Sequence, residues 1–284
     1  MAIYKPSELA DFLASLGIFP KKGMSQNFLV DGNIIRKIVQ AGDVQPGDVV
    51  MEIGSGPGAL TEELLNAGAR VIAVEKDDTL AKALHRLQTK DNRLEVYCED
   101  ILKFPIEKHL EKGGRAKLIA NLPYHLTAPI ITRLAPMRDH FSKLVVMVQD
   151  EVARRFIAKP KTKEYSSLTV FLHYYAHVKY GFLVSHNCFY PPPKIESAIA
   201  ILDLKAPPNV SSEEGFFKLT RTAFEQRRKM LRSSLRTIYQ PEVVMQGLTD
   251  AGLNPLARPE ELSLDDFVAL FAQLEGKGQD QSDC

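Results

Sequence analysis

Between residues 52 and 124 stand four groups whose types and spacing could do chemistry. Glu52-Ile-Gly54-Ser-Gly56-Pro-Gly58 is a glycine-rich stretch with an acid at its head. Glycines there let the backbone turn sharply and let a ligand lie against it with no side chain between. Glu75 ends the next apolar run, and a carboxylate at a strand end can accept both hydrogen bonds of a ribose diol. Asp100 ends the run after that, where it is placed to meet an adenine amino group. Asn121-Leu122-Pro123-Tyr124 closes the fourth. An exocyclic aromatic amine is a poor nucleophile, because its lone pair is delocalised into the ring. If the Asn121 side-chain oxygen and the Leu122 or Pro123 carbonyl accept its N–H bonds, the nitrogen can pyramidalise and its lone pair is freed to attack. Tyr124 can stack on the planar base, and a site that excludes water strengthens the polar contacts. No strong general base is required, since the amine becomes acidic as the new bond forms. Each group also has an ordinary structural use, as a tight turn or a helix cap. Their recurrence on successive strand ends, where open α/β sheets bind ligands, points to one site.

The elements that must position these groups follow from patterning. VVMEI (49–53) reads as a strand, ALTEELLNAG as a helix ending near Gly68, and RVIAVE (70–75) as the next strand, with a helix through TLAKALHRLQ. LEVYCED (94–100), KLIANLPY (117–124) and KLVVMVQ (143–149) supply three more strands, the last leading into the helix DEVARRFIA. VKYGFLV and SAIAILDL flank the proline-rich FYPPPK and read as a late antiparallel hairpin. Short β-branched runs alternating with helical patterns are the signature of βαβ units and a mostly parallel sheet, here of seven strands. The strand pattern stops at KAPPN (205–209), a linker with two prolines. Beyond it EEGFFKLTRTAFEQ, KMLRSSLRTIY, PEVVMQGLTDAG and SLDDFVALFAQL read as helices, with Ser263, Asp265 and Asp266 at a helix start. GKGQDQSDC is expected to fray. The expectation is an α/β domain over 1–205 and a small all-α domain over 206–284.

Composition narrows the function classes. Hydrophobic residues make up 45% and charged ones 25% of 284 residues, an ordinary balance for a soluble globular protein with room for one large domain and a smaller one. No apolar run approaches the ~20 residues that span a bilayer, and the N-terminus lacks the pattern of a secretory or transit segment. Cys98, Cys188 and Cys284 form no C-x-x-C pair, which argues against a disulfide framework or a zinc site and for a reducing cytoplasm. His173, His177 and His186 suggest no metal either. The net charge of +1 hides a local excess: Lys218, Arg221, Arg227, Arg228, Lys229, Arg232 and Arg236 stand against one acid, Glu225.

The G-x-G-x-G spacing, headed by an acid, differs from the dinucleotide fingerprint and resembles the first motif of Rossmann-like methyltransferases, which bind S-adenosylmethionine. With NLPY, with SQNFLVD near the start and with FYPPPKIESA later, the chain resembles the ribosomal RNA adenine dimethyltransferases, and their small-subunit branch above the antibiotic-resistance branch that acts on the large subunit. AFEQRRKMLRSSL and GLNPLARPEELSLDDFVAL extend the match, which runs from about residue 22 to 275. KKGMS, before QNF, departs from the aromatic-Gly pair of the family, and Gln149-Asp150-Glu151 fits its pattern after the fifth strand. The resemblance implies a Rossmann-like fold and cofactor contacts at Asn27, Leu29, Gly54, Gly56, Glu75, Asp100 and Asn121. It implies that Phe189 sandwiches a flipped adenine against Tyr124. The implied product is N6,N6-dimethyladenosine at two adjacent adenines of the hairpin loop near the 3′ end of small-subunit rRNA. The implied partner is that rRNA within a pre-assembled particle, with a checkpoint role in assembly; a monomer is expected.

At 100° per residue, Lys218, Arg221, Arg228, Arg232 and Arg236 fall on one stripe if 216–238 is near-continuous helix, with Phe224, Leu231, Leu235 and Ile238 beside it facing a core. Such a stripe could track RNA phosphates or pack against acids such as Glu260 and Glu261. Two rivals remain: methylation of DNA adenine or a protein glutamine amide, whose tetrapeptide carries Pro where Leu122 stands, and a non-catalytic nucleic-acid-binding or ribosome-assembly protein retaining the fold. Degenerate members of the second kind are expected to lose the glycine loop, Glu75 or Asn121, and all are present.

Overall fold

The structure is a computed structural model that describes residues 4–18, 27–88, 90–91, 93–275 and 277. The chain lays down α1 (Pro6–Ser15), β1 (Phe28–Leu29) and α2 (Gly32–Ala41) before the sheet begins. Then come β2 (Val49–Ile53), α3 (Ala59–Asn66), β3 (Arg70–Glu75), α4 (Asp78–Leu84), β4 (Leu94–Cys98), β5 (Ala116–Asn121), α5 (Thr127–Leu134) and β6 (Phe141–Gln149). After α6 (Asp150–Phe156) and α7 (Ser167–Tyr175), β7 (Ala176–Val184), β8 (Phe189–Tyr190) and β9 (Ser197–Leu204) complete the strands. The seven-stranded sheet has the order β4-β3-β2-β5-β6-β9-β7. Its pairs are parallel from β4 to β6, and β9 runs antiparallel to both β6 and β7, as the patterning predicts. Burial explains the patterns. β6, in the interior of the sheet, is apolar and buried through Leu144–Val148, whereas the edge strand β7 alternates between exposed and partly buried positions between its two buried ends.

Strand order reverses at β2: β3 lies on one side and β5 on the other, so a crevice opens at their carboxyl ends. Helices over the sheet bury Leu64, Leu84 and Ile38 against Val50, Val71 and Ile119. Asp31 caps α2 by accepting from Asn33 N–H (2.8 Å) and Ile34 N–H (3.1 Å), and Asp77 caps α4 in the same way. A second, two-stranded pairing joins Phe28 to Tyr190 and Leu29 to Phe189, which brings Asn27–Leu29 alongside the FYPPP segment.

Two departures from the sequence reading concern the helical part. The described residues up to Ala153 and Ala176–Lys205 form one compact unit; Arg154–Tyr175 belong with the described residues from Ala206 onward. The boundary near 205 therefore misses a helical insertion. Its α7 packs on α8 (Glu213–Glu225) through Tyr174 and Phe216, 5.3 Å between ring centroids, and the Tyr175 hydroxyl donates to Glu213 Oε2 at 2.7 Å. The near-continuous helix expected over 216–238 is broken. The chain leaves α8 at Glu225, Gln226 takes φ −122° and ψ 57°, and only a short α9 (Leu231–Ser234) follows. Leu231 N–H donates to Ala257 O at 2.9 Å in place of the carbonyl four residues back, so the i→i−4 ladder cannot continue. Lys218, Arg221, Arg228, Arg232 and Arg236 thus do not share one helix face. After α10 (Pro241–Asp250), α11 (Leu264–Leu274) opens where expected, with Ser263 and Asp266 capping each other's backbone N–H. Apart from Lys277, the expected frayed tail lies outside the described residues, as does KKGMS.

Gly58, the N-cap of α3, sits at φ +87°, and a Cβ there would come within 2.8 Å of the Leu84 and Leu87 methyls. Gly58→Ala should therefore destabilise the fold by about 2–4 kcal/mol, left-handed strain plus overpacking. Urea unfolding measures this, and a loss under about 0.5 kcal/mol would show that the loop relaxes freely.

Candidate active site

The loop between β2 and α3 owes its course to glycine. Gly54 (φ +68°), Gly56 (φ +54°) and Gly58 all occupy the left-handed region. A Cβ on Gly56 would meet the Phe28 ring at 3.1 Å, so that glycine also admits a close approach of β1 to the loop. Gly54 N–H donates to Val74 O (2.9 Å), and Gly56 N–H donates to Glu75 Oε2 (2.8 Å). The other oxygen of Glu75 accepts from Asp77 N–H at 2.9 Å. Glu75 thus ties the loop after β2 to the turn after β3. It is only 7% exposed, and burial raises its pKa. Glu52 is 2% exposed and pushed up to about 7, chiefly by burial and against the Thr61 hydroxyl, which donates to it at 2.6 Å. Among the described residues neither carboxyl pairs with a cation.

On the other side of the crevice, β5 delivers Asn121. Its Nδ2 donates to Asn27 O at 3.3 Å, and because that partner can only accept, the side-chain oxygen is left as the free acceptor. The Pro123 carbonyl is engaged, accepting from Leu126 N–H (2.9 Å) and the Thr127 hydroxyl (3.3 Å). The Leu122 carbonyl has no such partner among the described residues, so of the two backbone acceptors weighed from the sequence Leu122 O is the available one. The Tyr124 hydroxyl meets Ser197 Oγ at 2.8 Å, and burial raises the phenol pKa. Ser197 is fully buried on β9, between Gln149 of β6 and Val184 of β7.

An open cavity of about 580 Å³ is lined by Asn27, Phe28, Gly54, Gly56, Glu75, Leu80, Asn121, Leu122, Pro123 and Tyr124. An adjoining hollow of about 410 Å³ shares the two glycines and Asn121 and adds Leu29, Glu52 and Ser55, whose buried hydroxyl has no hydrogen-bond partner. Two of the expected residues are not brought into this lining. Asp100 gives one oxygen to Lys76 Nζ (2.9 Å), which holds its carboxyl below the usual range, and the other to Leu102 N–H (3.0 Å). Phe189 is 3% exposed and packs in the main core with Leu29, Val184 and Ile199, so a sandwich of adenine between it and Tyr124 does not fit this arrangement. Its pairing with Leu29 turns the ring's usefulness inward. Phe28, Leu80 and Ser197 were missed. The apolar run AIAIL that follows Ser197 could have flagged it, as a polar residue at the head of a buried strand. Of the basic residues, Lys218, Arg221, Arg228 and Arg236 are exposed, and Arg232 is partly buried with a guanidinium nitrogen 3.3 Å from Met245 Sδ. It is Arg227, outside that set, that pairs with Glu260.

Two buried acids without a cation, an orphaned hydroxyl and a glycine cradle fit a ligand that carries positive charge and a diol, as S-adenosylmethionine does. A switch-point crevice with that cradle on one side and paired acceptors for a planar amine on the other defines a Rossmann-like, S-adenosylmethionine-dependent methyltransferase. Comparison narrows the class. Residues 20–275 match the ribosomal RNA adenine dimethylase family. The chain is 58% identical to ribosomal RNA small subunit methyltransferase A of Protochlamydia amoebophila, over 96% of this chain and 98% of that one. Its identity to the protein of the same name from Chlamydia felis is 44%, over 95% of each. Among solved structures, a dimethyladenosine transferase from Plasmodium falciparum aligns with TM-score 0.77 and 26% identity, over 88% of this chain and 98% of that one. The 23S rRNA methyltransferase ErmE aligns with TM-score 0.67 and 26% identity, over 88% and 100%. The chain belongs to the ribosomal RNA adenine dimethylase family.

Two outcomes follow from the site. Removing the Glu75 carboxylate in Glu75→Ala should weaken S-adenosylmethionine binding by about 2–3 kcal/mol in calorimetry, the scale of hydrogen bonds to a charged group. Unchanged affinity in a folded variant would put the cofactor elsewhere. Glu52 has its folded pKa, about 7, above its unfolded value of 4.5. The folded state therefore keeps a proton the unfolded chain has lost, and stability of the cofactor-free protein should fall as pH rises from about 4.5 to 7, by at most about 3 kcal/mol. Glu52→Gln should flatten that part of the pH–stability curve; equal slopes for the two proteins would refute the assignment.

Proposed function

We propose that this enzyme transfers methyl groups to the N6 amines of two adjacent adenosines in the hairpin loop near the 3′ end of small-subunit rRNA. The observation that carries the chemistry is the Asn121 amide, anchored through Nδ2 so that Oδ1, like the carbonyl of the adjacent Leu122, has no hydrogen-bond partner among the described residues. These two acceptors take the amine's N–H bonds, hold the nitrogen out of conjugation and aim its lone pair. Bound S-adenosylmethionine supplies the electrophile, a methyl on a sulfonium. Tyr124 stacks on the base, its hydroxyl fixed by Ser197. The proton leaves the amine once it has become acidic, so no dedicated base is needed. The small-subunit target is supported by the similarity to proteins named for that subunit over nearly the whole chain. We also propose that the substrate is the rRNA within a pre-assembled particle, that the enzyme acts as a cytoplasmic monomer and a checkpoint in assembly, and that Lys218, Arg221, Arg228, Arg232 and Arg236 of the helical unit contact RNA phosphates. Among the described residues no helix is long and apolar enough to cross a membrane.

Reverse-transcription mapping of small-subunit rRNA, from cells with and without this gene, tests the product: two adjacent stops should appear only with it. Asn121→Ala should lower turnover on the order of 10²–10³-fold with little change in RNA binding. Tyr124→Phe keeps the stacking ring and loses one hydrogen bond, so it should stay within about tenfold of wild type. A Tyr124→Phe enzyme as inactive as Asn121→Ala would give the hydroxyl a chemical role and remove the stacking account.

A further inference from the structure

Tyr124 opens one short helical turn, Tyr124–Leu126, outside both β5 and α5, and its ring is held at the far end. The hydroxyl meets Ser197 Oγ at 2.8 Å, across 73 residues of sequence, and neither hydroxyl has another hydrogen-bond partner among the described residues. Ser197 opens β9, which lies between β6 and β7, so a ladder on each side places its backbone. Its Cα stands opposite Gln149 on one strand and Val184 on the other. The residue before it is tethered too. Glu196 O accepts from Asp150 N–H at 3.1 Å, and the Glu196 carboxylate accepts from His186 N–H at 2.9 Å and meets His186 Nδ1 at 2.7 Å. The sheet itself has no need of the hydroxyl. Ala198 and Ala200 on the same strand are as fully buried as Ser197, and an alanine at 197 would spare the fold a buried polar group. The one partner of that group is a residue of the cavity lining.

A phenol hydroxyl lies on the long axis of its ring. The bond to Ser197 therefore lets the ring turn about that axis but fixes where the axis points, and with it the tilt at which a stacked base can lie. This constraint weighs unequally on successive transfers. An unmodified adenine has two N–H bonds for Asn121 Oδ1 and Leu122 O, and two hydrogen bonds orient a planar amine by themselves. A monomethylated adenine has one. About a single hydrogen bond the base can tilt, and the stacking face is what limits the tilt.

We propose that Ser197 is a positioning residue that sets the extent of methylation. By holding the Tyr124 hydroxyl it keeps the stacking face in place for the second transfer to each adenine, while the first proceeds largely without it. The inference rests on the stacking role of Tyr124 proposed above. In each transfer the amine nitrogen bonds the methyl carbon, the carbon–sulfur bond breaks with its electron pair left on sulfur, and the nitrogen's proton passes to water.

The test is a time course on small-subunit particles from cells lacking the enzyme, with enzyme and S-adenosylmethionine in excess. Nucleoside mass spectrometry reads mono- and dimethyladenosine. Ser197→Ala should slow the second transfer about three- to tenfold, the size of one neutral hydrogen bond, and the first by less than about twofold, so that monomethyladenosine accumulates. Its affinity for S-adenosylmethionine in calorimetry should match wild type. Tyr124→Phe severs the same bond from the cavity end and should give the same product ratio; should Ser197→Ala not fold, it decides alone. The double variant should be no worse than either single one, because the bond can be lost only once. Equal slowing of both transfers, a wild-type product ratio in the folded single variants, or additive losses in the double variant would overturn the proposal and leave the stacking role standing. Wild-type turnover in Tyr124→Ala would overturn the stacking role, and the proposal with it.

Discussion

The hydrogen bond from Gly56 N–H to the Glu75 carboxylate joins the loop after β2 to the end of β3, and the rest of the site is built around that link. For the amide to reach the carboxylate, the loop must pass through left-handed conformations that only glycine takes cheaply, and β1 must come close enough for the Phe28 ring to touch Gly56. The link has an electrostatic consequence. It needs a buried acceptor, and with Glu52 beneath the same loop it gathers two carboxyls in one desolvated place. Packing alone would favour apolar residues there. The protein retains groups that are costly without a ligand and well matched with a cationic one, so local stability is given up where binding is gained.

The acceptor side shows the same economy in hydrogen bonds. Asn121 could present either end of its amide to the cavity, and the choice is made 94 residues away in sequence by the Asn27 carbonyl. That carbonyl is held at the start of β1, whose pairing with β8 brings in the FYPPP segment. The following turn engages Pro123 O in starting α5 and leaves Leu122 O without a partner among the described residues. One backbone carbonyl serves the fold and its neighbour is left for the chemistry proposed above, a division decided by where the helix begins.

What was legible in the sequence was local. Glycine spacing, acids at strand ends and NLPY need only a strand–turn–helix frame to be understood, and seven strands could be counted because buried parallel strands read as apolar runs. What was not legible depends on partners far along the chain. The stacking role expected of Phe189 came from the family resemblance alone; its ring lies in the core, as aromatics in such a run commonly do, and the two-residue ladder with Leu29 that holds it there has no periodicity to betray it. The basic stripe assumed a helix through 226–230, which every propensity there permits; an acceptor at Ala257 ends it instead. Arg154–Tyr175 sits between strand patterns and so was assigned to the sheet domain, although the aromatic face of α7 finds its complement in Phe216 and Phe217. In the last two cases a tertiary contact overrode a sound local reading.

Counting donors shows what the two acceptors imply for a dimethylating enzyme. Unmodified adenine offers two N–H bonds, enough for both Asn121 Oδ1 and Leu122 O. After one transfer the amine keeps a single N–H, so one acceptor must go unpaired, at a cost of about 1–3 kcal/mol if it is desolvated. On the proposed reading the second transfer leans more on stacking by Tyr124 and on the shape of the cavity, and less on hydrogen bonding. The rigid seat of that ring, a hydroxyl bound to a serine buried between two strands, suits this demand. The dimethylated base has no N–H left and leaves both acceptors unpaired. On the roles proposed for these two oxygens, the site holds the finished product less well than either of its precursors, and the acceptors that activate the substrate favour its release.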